Sequence, residues 1–213
     1  MLTVKIFTLN PVSVNTYILY NEVNEAIIID PGCYYDEEKL ALKSFMQANK
    51  LLPVQLVNTH CHLDHVFGNK WMYETYGLEL FIHPNEEQML MVAPQSGKMW
   101  GLPFDNYQAP LHFLQQHDIV LLGEDKLKVL VAPGHSPGSI CFYCEQQKFV
   151  IGGDVLFKEG IGRTDLPGGN HAALLQSIRE QLFVLPDDVV VYPGHGQPTT
   201  IGHEKKYNPY MKG

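Results

Sequence analysis

Five short, strongly apolar runs end alike, on a histidine or aspartate set beside a glycine or an open turn. They are Ile27 to Asp30 before Pro31-Gly32, Leu56 to His60, Val129 to Gly134-His135, Phe149 to Gly153-Asp154, and Val189 to Gly194-His195. Runs this apolar read as strands covered on both faces, which requires sheets packed between further layers. In α/β sheets ligands bind beyond the strand ends, where loops on a rigid scaffold carry polar side chains. A single histidine at a strand end ordinarily satisfies a backbone carbonyl, so each ending alone says little. Together they predict a site along one edge of the sheets.

The remaining pattern fits that architecture. The chain has 213 residues, 45% hydrophobic and 18% charged, enough to bury a sizeable core. Alternation predicts antiparallel strands over 2–9 and 14–20, followed by a third at 26–29. An acidic start and Leu40, Phe45 and Met46 at near-helical spacing predict a helix over 36–49. Next come a strand at 54–60, a helix near 66–76, a strand at 77–83 and a short helix after Pro84. Residues 93–111 are rich in Pro, Gly, Met and aromatics without periodicity and predict an irregular lid or binding loop. Met89, Met91, Met99 and Trp100 are candidates to line an acyl pocket beneath it. Strands at 118–122, 126–132, 139–145 and 148–154, a helix over 171–182 and a strand at 189–195 complete the order. The expected fold is α/β, with two mixed sheets flanked by helices, in one domain spanning 1–213.

Charge narrows the function. The formal charge of -8 disfavours attraction to phosphate backbones or anionic membrane surfaces, so neither a nucleic acid nor a membrane is an expected partner. No apolar run approaches spanning length and the N-terminus lacks a signal-peptide core, which reads as a cytoplasmic protein. Four cysteines in such a chain are expected as reduced thiols. Cys141 and Cys144 lie three apart on a strand, face opposite sides and cannot jointly hold one ion.

Ten histidines are present, and four metal-competent side chains crowd into His60-Cys61-His62-Leu63-Asp64-His65 directly after a strand. Such density is hard to satisfy as core packing. An extended loop points His60 and His62 to one side, while Asp64 and His65 turn toward a second centre as a helix begins; Cys61 and Leu63 face away. His135 and His195 offer one further nitrogen to each centre, and Asp154 is a carboxylate able to bridge them. His83, His112, His117, His171 and His203 read as surface or capping residues.

The H-x-H-x-D-H stretch at 60–65, with Gly134-His135, Gly153-Asp154 and Gly194-His195 following in that order, resembles the metallo-β-lactamase superfamily along almost the whole chain. The resemblance implies an αβ/βα four-layer sandwich. It also implies one metal on His60, His62 and His135, a second on Asp64, His65 and His195, and Asp154 bridging, with Asp64 and Asp154 as catalytic residues. Two divalent ions are implied, with zinc expected; nitrogen and oxygen donors without thiolate equally admit iron or manganese.

Gly153 to Phe157, the Gly162-Arg163-Thr164-Asp165-Leu166-Pro167-Gly168-Gly169 stretch and Thr199 to Gly202 are similar to the compact hydroxyacylglutathione hydrolase (glyoxalase II)-like branch. That likeness implies metal-dependent hydrolysis of a small-molecule thioester. The full glyoxalase II type adds a C-terminal helical domain that supplies part of the glutathione site, and this chain is expected to lack it. Arg163 is the candidate substrate-binding cation, with a salt bridge to Asp64 or Asp165 as its other role. Persulfide dioxygenases, which hold a single iron, share the G-R-T-D stretch and would use His62, His135 and Asp154. A lactonase-like hydrolase and a non-catalytic metal-binding module are further readings. Nothing in the sequence sets an oligomeric state.

Overall fold

A computed structural model describes residues 1–212. Strands β1 (Thr3–Leu9), β2 (Val14–Tyr20) and β3 (Glu25–Ile29) form an antiparallel meander. Helix α1 (Asp36–Ala48) follows, its first turn carrying Asp36, Glu37 and Glu38 against the unpaired amides. Its buried stripe is Leu42 and Met46, four residues apart on one face, whereas Leu40 is 63% exposed and does not join the core. β4 (Leu52–Val57) runs parallel to β3, and helices α2 (Leu63–Val66) and α3 (Asn69–Tyr76) occupy the region expected as one helix. β5 (Leu80–Ile82), helix α4 (Glu87–Met99) and β6 (Leu111–Phe113) complete this half, with β4, β5 and β6 successively parallel.

The second half repeats the plan. β7 (Ile119–Leu122), β8 (Asp125–Val131), β9 (Ile140–Cys144) and β10 (Phe149–Gly153) are antiparallel neighbours. A small hairpin, β11 (Leu156–Phe157) and β12 (Gly160–Ile161), leads to α5 (His171–Ser177), which a π-helical turn extends through Ile178–Leu182. β13 (Val190–Pro193) pairs parallel to β10, β14 (Thr199–Thr200) pairs antiparallel to β13, and α6 (Ile201–Tyr207) follows. The two sheets are ordered β1-β2-β3-β4-β5-β6 and β14-β13-β10-β9-β8-β7.

Three buried clusters show the layering. Tyr17, Leu19, Ile27 and Ile29 of the first sheet meet Val129, Ile140, Phe142 and Ile151 of the second between the sheets. Ile18, Ile28 and Leu56 pack outward against Leu42, Met72 and Leu90 of the first set of helices. Cys141, Val150 and Val191 pack outward against Leu174, Ile178 and Ile201 on the far side. The result is a four-layer αβ/βα sandwich, as expected. Cys141 and Cys144 point into different cores, and all four cysteines are free and buried.

The strands' directions place the site. β3 and β4 are parallel; β8 and β10 are both antiparallel to β9, and β13 is parallel to β10, so β8, β10 and β13 run in one direction. A hydrogen bond from Ile140 N to Thr59 O at 2.8 Å and a bridge between Val14 and His195 join the two sheets at these ends.

Residues 93–111 correct the sequence reading, because α4 continues to Met99 through Pro94 and Gly97. These two residues hide the helix in the sequence. Gly97 is required by close packing, since a Cβ there would stand 2.6 Å from Leu102 O, whose residue caps back onto the helix. The segment beyond is irregular but pinned: Tyr107 is buried, its hydroxyl accepts from Leu80 N at 3.0 Å and donates to Pro110 O at 2.6 Å. No described helix is long and apolar enough to cross a membrane.

Candidate metal centre

Beyond β4 the chain bends at Thr59 and is extended at His62, whose φ of -66° and ψ of 153° precede the first turn of α2. His60 therefore projects from the irregular stretch after the bend, His62 from extended backbone, and Asp64 and His65 from the helical turn. The second sheet supplies His135 after β8, Asp154 after β10 and His195 after β13. Three imidazoles converge first: His62 Nδ1 lies 2.8 Å from His135 Nε2, which lies 3.2 Å from His60 Nε2. Beside them, His195 Nε2 stands 3.1 Å and His65 Nε2 3.6 Å from Asp64 Oδ2.

Asp154 faces both groups. Its Oδ2 lies 3.5 Å from His135 Nε2 and 3.6 Å from His195 Nε2, while Oδ1 lies 3.5 Å from His65 Nε2. All seven residues singled out by the motif spacing are thus brought together, in groups whose donor atoms lie within 4.8 Å of one another.

The donor set suits divalent cations. Tetrahedral ligands at zinc–nitrogen distances of about 2.0–2.1 Å stand about 3.3 Å apart, close to the spacing of the imidazole nitrogens. His65 Nε2 and Asp154 Oδ1 are buried among the described residues without a hydrogen-bond partner, an expensive condition that coordination relieves.

Electrostatics divides the two groups. Burial, then the neighbouring imidazoles, pushes His60 well below its ordinary range and His62 down to about 3. These rings are neutral donors at neutral pH. Burial works against the charged forms of His65 and His195 too, but Asp64 and Asp154 outweigh it and raise both. For Asp64 and Asp154, burial raises the carboxyl while the facing imidazoles, His65 foremost, hold it below the usual range.

The metallo-beta-lactamase superfamily model matches residues 9–195. The chain belongs to this superfamily. Among curated relatives it is 36% identical to hydroxyacylglutathione hydrolase GloC of Haemophilus influenzae, over 92% of each protein. It is 35% identical to "Probable metallo-hydrolase YqgX" of Bacillus subtilis, over 95% of this chain and 94% of the relative. The solved structure of BLEG-1 B3 metallo-beta-lactamase superposes with a TM-score of 0.90 at 36% identity, covering 99% of this chain and all of the other. TTHA1623 in a di-iron-bound form superposes with a TM-score of 0.87 at 34% identity, covering 97% and 99%. Metallohydrolase architecture and a metal-binding His/Asp cluster therefore go together in this chain.

A metal site must hold its imidazoles in register, and three of the outer nitrogens here are engaged, whereas the outer Nε2 of His62 is buried without a partner among the described residues. His65 Nδ1 meets Asp30 Oδ2 at 2.9 Å, His135 Nδ1 meets Arg163 O at 2.7 Å, and His195 Nδ1 meets Ser13 O at 3.2 Å. Asp30 is among the five strand endings read as metal-competent, but it stands behind the site. Its carboxylate accepts from Thr59 N at 2.7 Å, Thr59 Oγ1 at 2.6 Å and Asn58 Nδ2 at 3.1 Å, and its φ of 50° is a left-handed conformation that aspartate tolerates. Glu86, which no sequence signal marks, is fully buried and accepts from Cys61 N at 2.7 Å, Gly138 N at 2.7 Å and Ser136 Oγ at 2.5 Å. It ties the His60–His62 loop to the His135 loop.

Gly194 is dictated by close approach, since a Cβ there would lie 2.0 Å from Asp154 Oδ1. Arg163 pairs with Asp165 through two 2.8 Å bonds, not with Asp64. Over the centre lies a cavity of about 520 Å³, lined by Met89, Met99 and Trp100 but not by Met91, which is 71% exposed. The remaining histidines lie outside the site: His112 pairs with Glu79 at 2.5 Å and His203 with Glu159 at 3.0 Å.

Proposed function

We propose that this metallohydrolase cleaves thioesters, the reaction type of its hydroxyacylglutathione hydrolase relative, at a binuclear centre. The observation that carries the reading is Asp154, whose two oxygens face the tri-histidine group and the Asp64–His65–His195 group at once. His60, His62 and His135 would hold one ion; Asp64, His65 and His195 would hold the other; Asp154 would be shared. Bound there, divalent cations lower the pKa of water from 15.7 toward ~7 and polarise a carbonyl.

The chain's own residues do the rest. Asp154, kept ionised by the facing imidazoles, would remain a shared ligand, and Asp64 fixes His195 through their 3.1 Å contact. Water adds to the acyl carbon, the carbon–sulfur bond breaks, and the products are a carboxylic acid and a thiol. No strong general acid is needed, since thiol pKa values near 8.5 make thiolate an adequate leaving group. The complete second group supports this over the single-iron dioxygenase reading, which leaves His60, Asp64, His65 and His195 without a role.

The test pairs metal content with a substrate panel. Protein carrying two ions per chain should hydrolyse thioesters, S-lactoylglutathione among them, and lose activity with a chelator. One iron per chain with persulfide-dependent oxygen uptake would overturn the hydrolase reading, and turnover confined to a lactone or a β-lactam would reassign the substrate.

A further inference from the structure

We propose that the cavity over the metal centre selects substrates whose acyl group is an apolar, uncharged chain of several carbons, a specificity that rests on the thioester-hydrolase reading. The cavity of about 520 Å³ has a floor of site residues and walls that include Met89, Val92, Trp100, Phe157, Ile161 and Leu166. These walls come from α4 and its end on one side, and from the β11–β12 hairpin and the following loop on the other.

Besides the site histidines, Arg163 is the one cationic side chain among the described lining residues, and Asp165 already engages its guanidinium with two 2.8 Å bonds. A glutathionyl group brings two carboxylates and an ammonium. Set against these walls they would lose water and find only the N–H groups of Arg163 that Asp165 leaves open, a cost an alkyl chain does not incur. The leaving thiolate is an anion and departs best through the hydrated side, whereas the acyl chain remains uncharged until cleavage. Trp100 is 57% exposed and Met99 79%, so a seated chain covers apolar surface that is otherwise wet. The flexible thioethers of Met89 and Met99 can shape themselves to chains of different length.

The experiment uses metal-loaded protein in two measurements. Calorimetric titration with straight-chain carboxylates from acetate to octanoate should show affinity rising about threefold per methylene. Turnover of N-acetylcysteamine thioesters over the same acyl series should rise in kcat/KM by at least about tenfold from acetyl to hexanoyl and exceed that of S-lactoylglutathione. Val92→Asp and Trp100→Ala, both at exposed positions, should flatten the dependence on chain length in both measurements. A flat dependence, or preference for S-lactoylglutathione over hexanoyl thioester, overturns the proposal. Length-dependent binding without turnover of any thioester sinks the hydrolase reading while supporting the apolar-chain selectivity.

Discussion

The two halves of the metal centre share Asp154 yet are built on opposite electrostatic plans. In the group of His60, His62 and His135, burial holds His60 and His62 below their ordinary range, so these two rings are neutral donors. Asp64, His65 and His195 form a group in which carboxylates hold protons on imidazoles. His60 and His62 are ready to accept a cation at neutral pH. The second group must exchange protons for one. Each half also leans on its own buried carboxylate: Glu86 ties the loops of the first, and Asp30 orients His65 in the second. Geometry alone would call the halves equivalent, and their proton inventories show they are not.

The largest effect should come from the residue that belongs to both. Asp154→Ala should lower metal content from the two ions per chain proposed above toward one or none and reduce hydrolysis more than about 100-fold, the upper end of what loss of a mere supporting partner costs. Elemental analysis beside a thioester assay checks this. Wild-type turnover with two bound ions would show that the halves are independent.

Asp30→Asn should act on one half. The substituted amide can no longer accept every bond that Thr59 N, Thr59 Oγ1, Asn58 and His65 direct at the carboxylate. Affinity for the ion held by Asp64, His65 and His195 should fall about 10- to 100-fold, with the tri-histidine ion less affected. Sequential metal titration separates the two. Equal weakening of both ions would mean that Asp30 acts through the shared strand end at Thr59 and His60.

How much of this could be read from the chain follows the same divide. The His60–His65 motif is legible because its donors are contiguous, and the glycine-marked endings at His135, Asp154 and His195 are legible because each closes an apolar strand. The four-layer sandwich follows from strands too apolar to leave a face in water. The carboxylates behind the site are not legible as such. Asp30 reaches a histidine thirty-five positions away and Glu86 a serine fifty away, contacts that no local periodicity encodes. Likewise, Pro94 and Gly97 conceal the second half of α4, whose buried face at Leu90, Ala93 and Gly97 exists only relative to its packing partners.

Glu86→Gln tests the other half's support. Burial raises the Glu86 carboxyl, and the bonds from Ser136, Cys61 N and Gly138 N offset only part of that rise. Gln retains one acceptor oxygen but turns an NH2 toward a donor, so the variant should lose about 1–3 kcal/mol of stability. Its metal defect should fall on the tri-histidine ion, reversing the pattern of Asp30→Asn. Chemical denaturation of ion-free protein and the same sequential titration read the two effects, and a defect confined to the Asp64–His65–His195 ion would break the assignment of one buried carboxylate to each half.

The pH dependence of binding is the most direct measure of the contrast. His65 and His195 are raised by their carboxylate neighbours, so near neutrality they retain protons that an incoming cation must displace. Binding there releases protons and strengthens as pH rises, by up to about tenfold per pH unit for each proton displaced. Burial pushes His62 down to about 3 and His60 well below its ordinary range, so protons compete for these two rings only in acid, and the tri-histidine ion should show the shallower pH dependence of the two. Titrations in buffers of different ionisation enthalpy count the protons released with each ion. Greater release with the ion on Asp64, His65 and His195 fits the division; equal release from both would show that burial does not keep His60 and His62 deprotonated, and the two halves would then differ in ligand type alone.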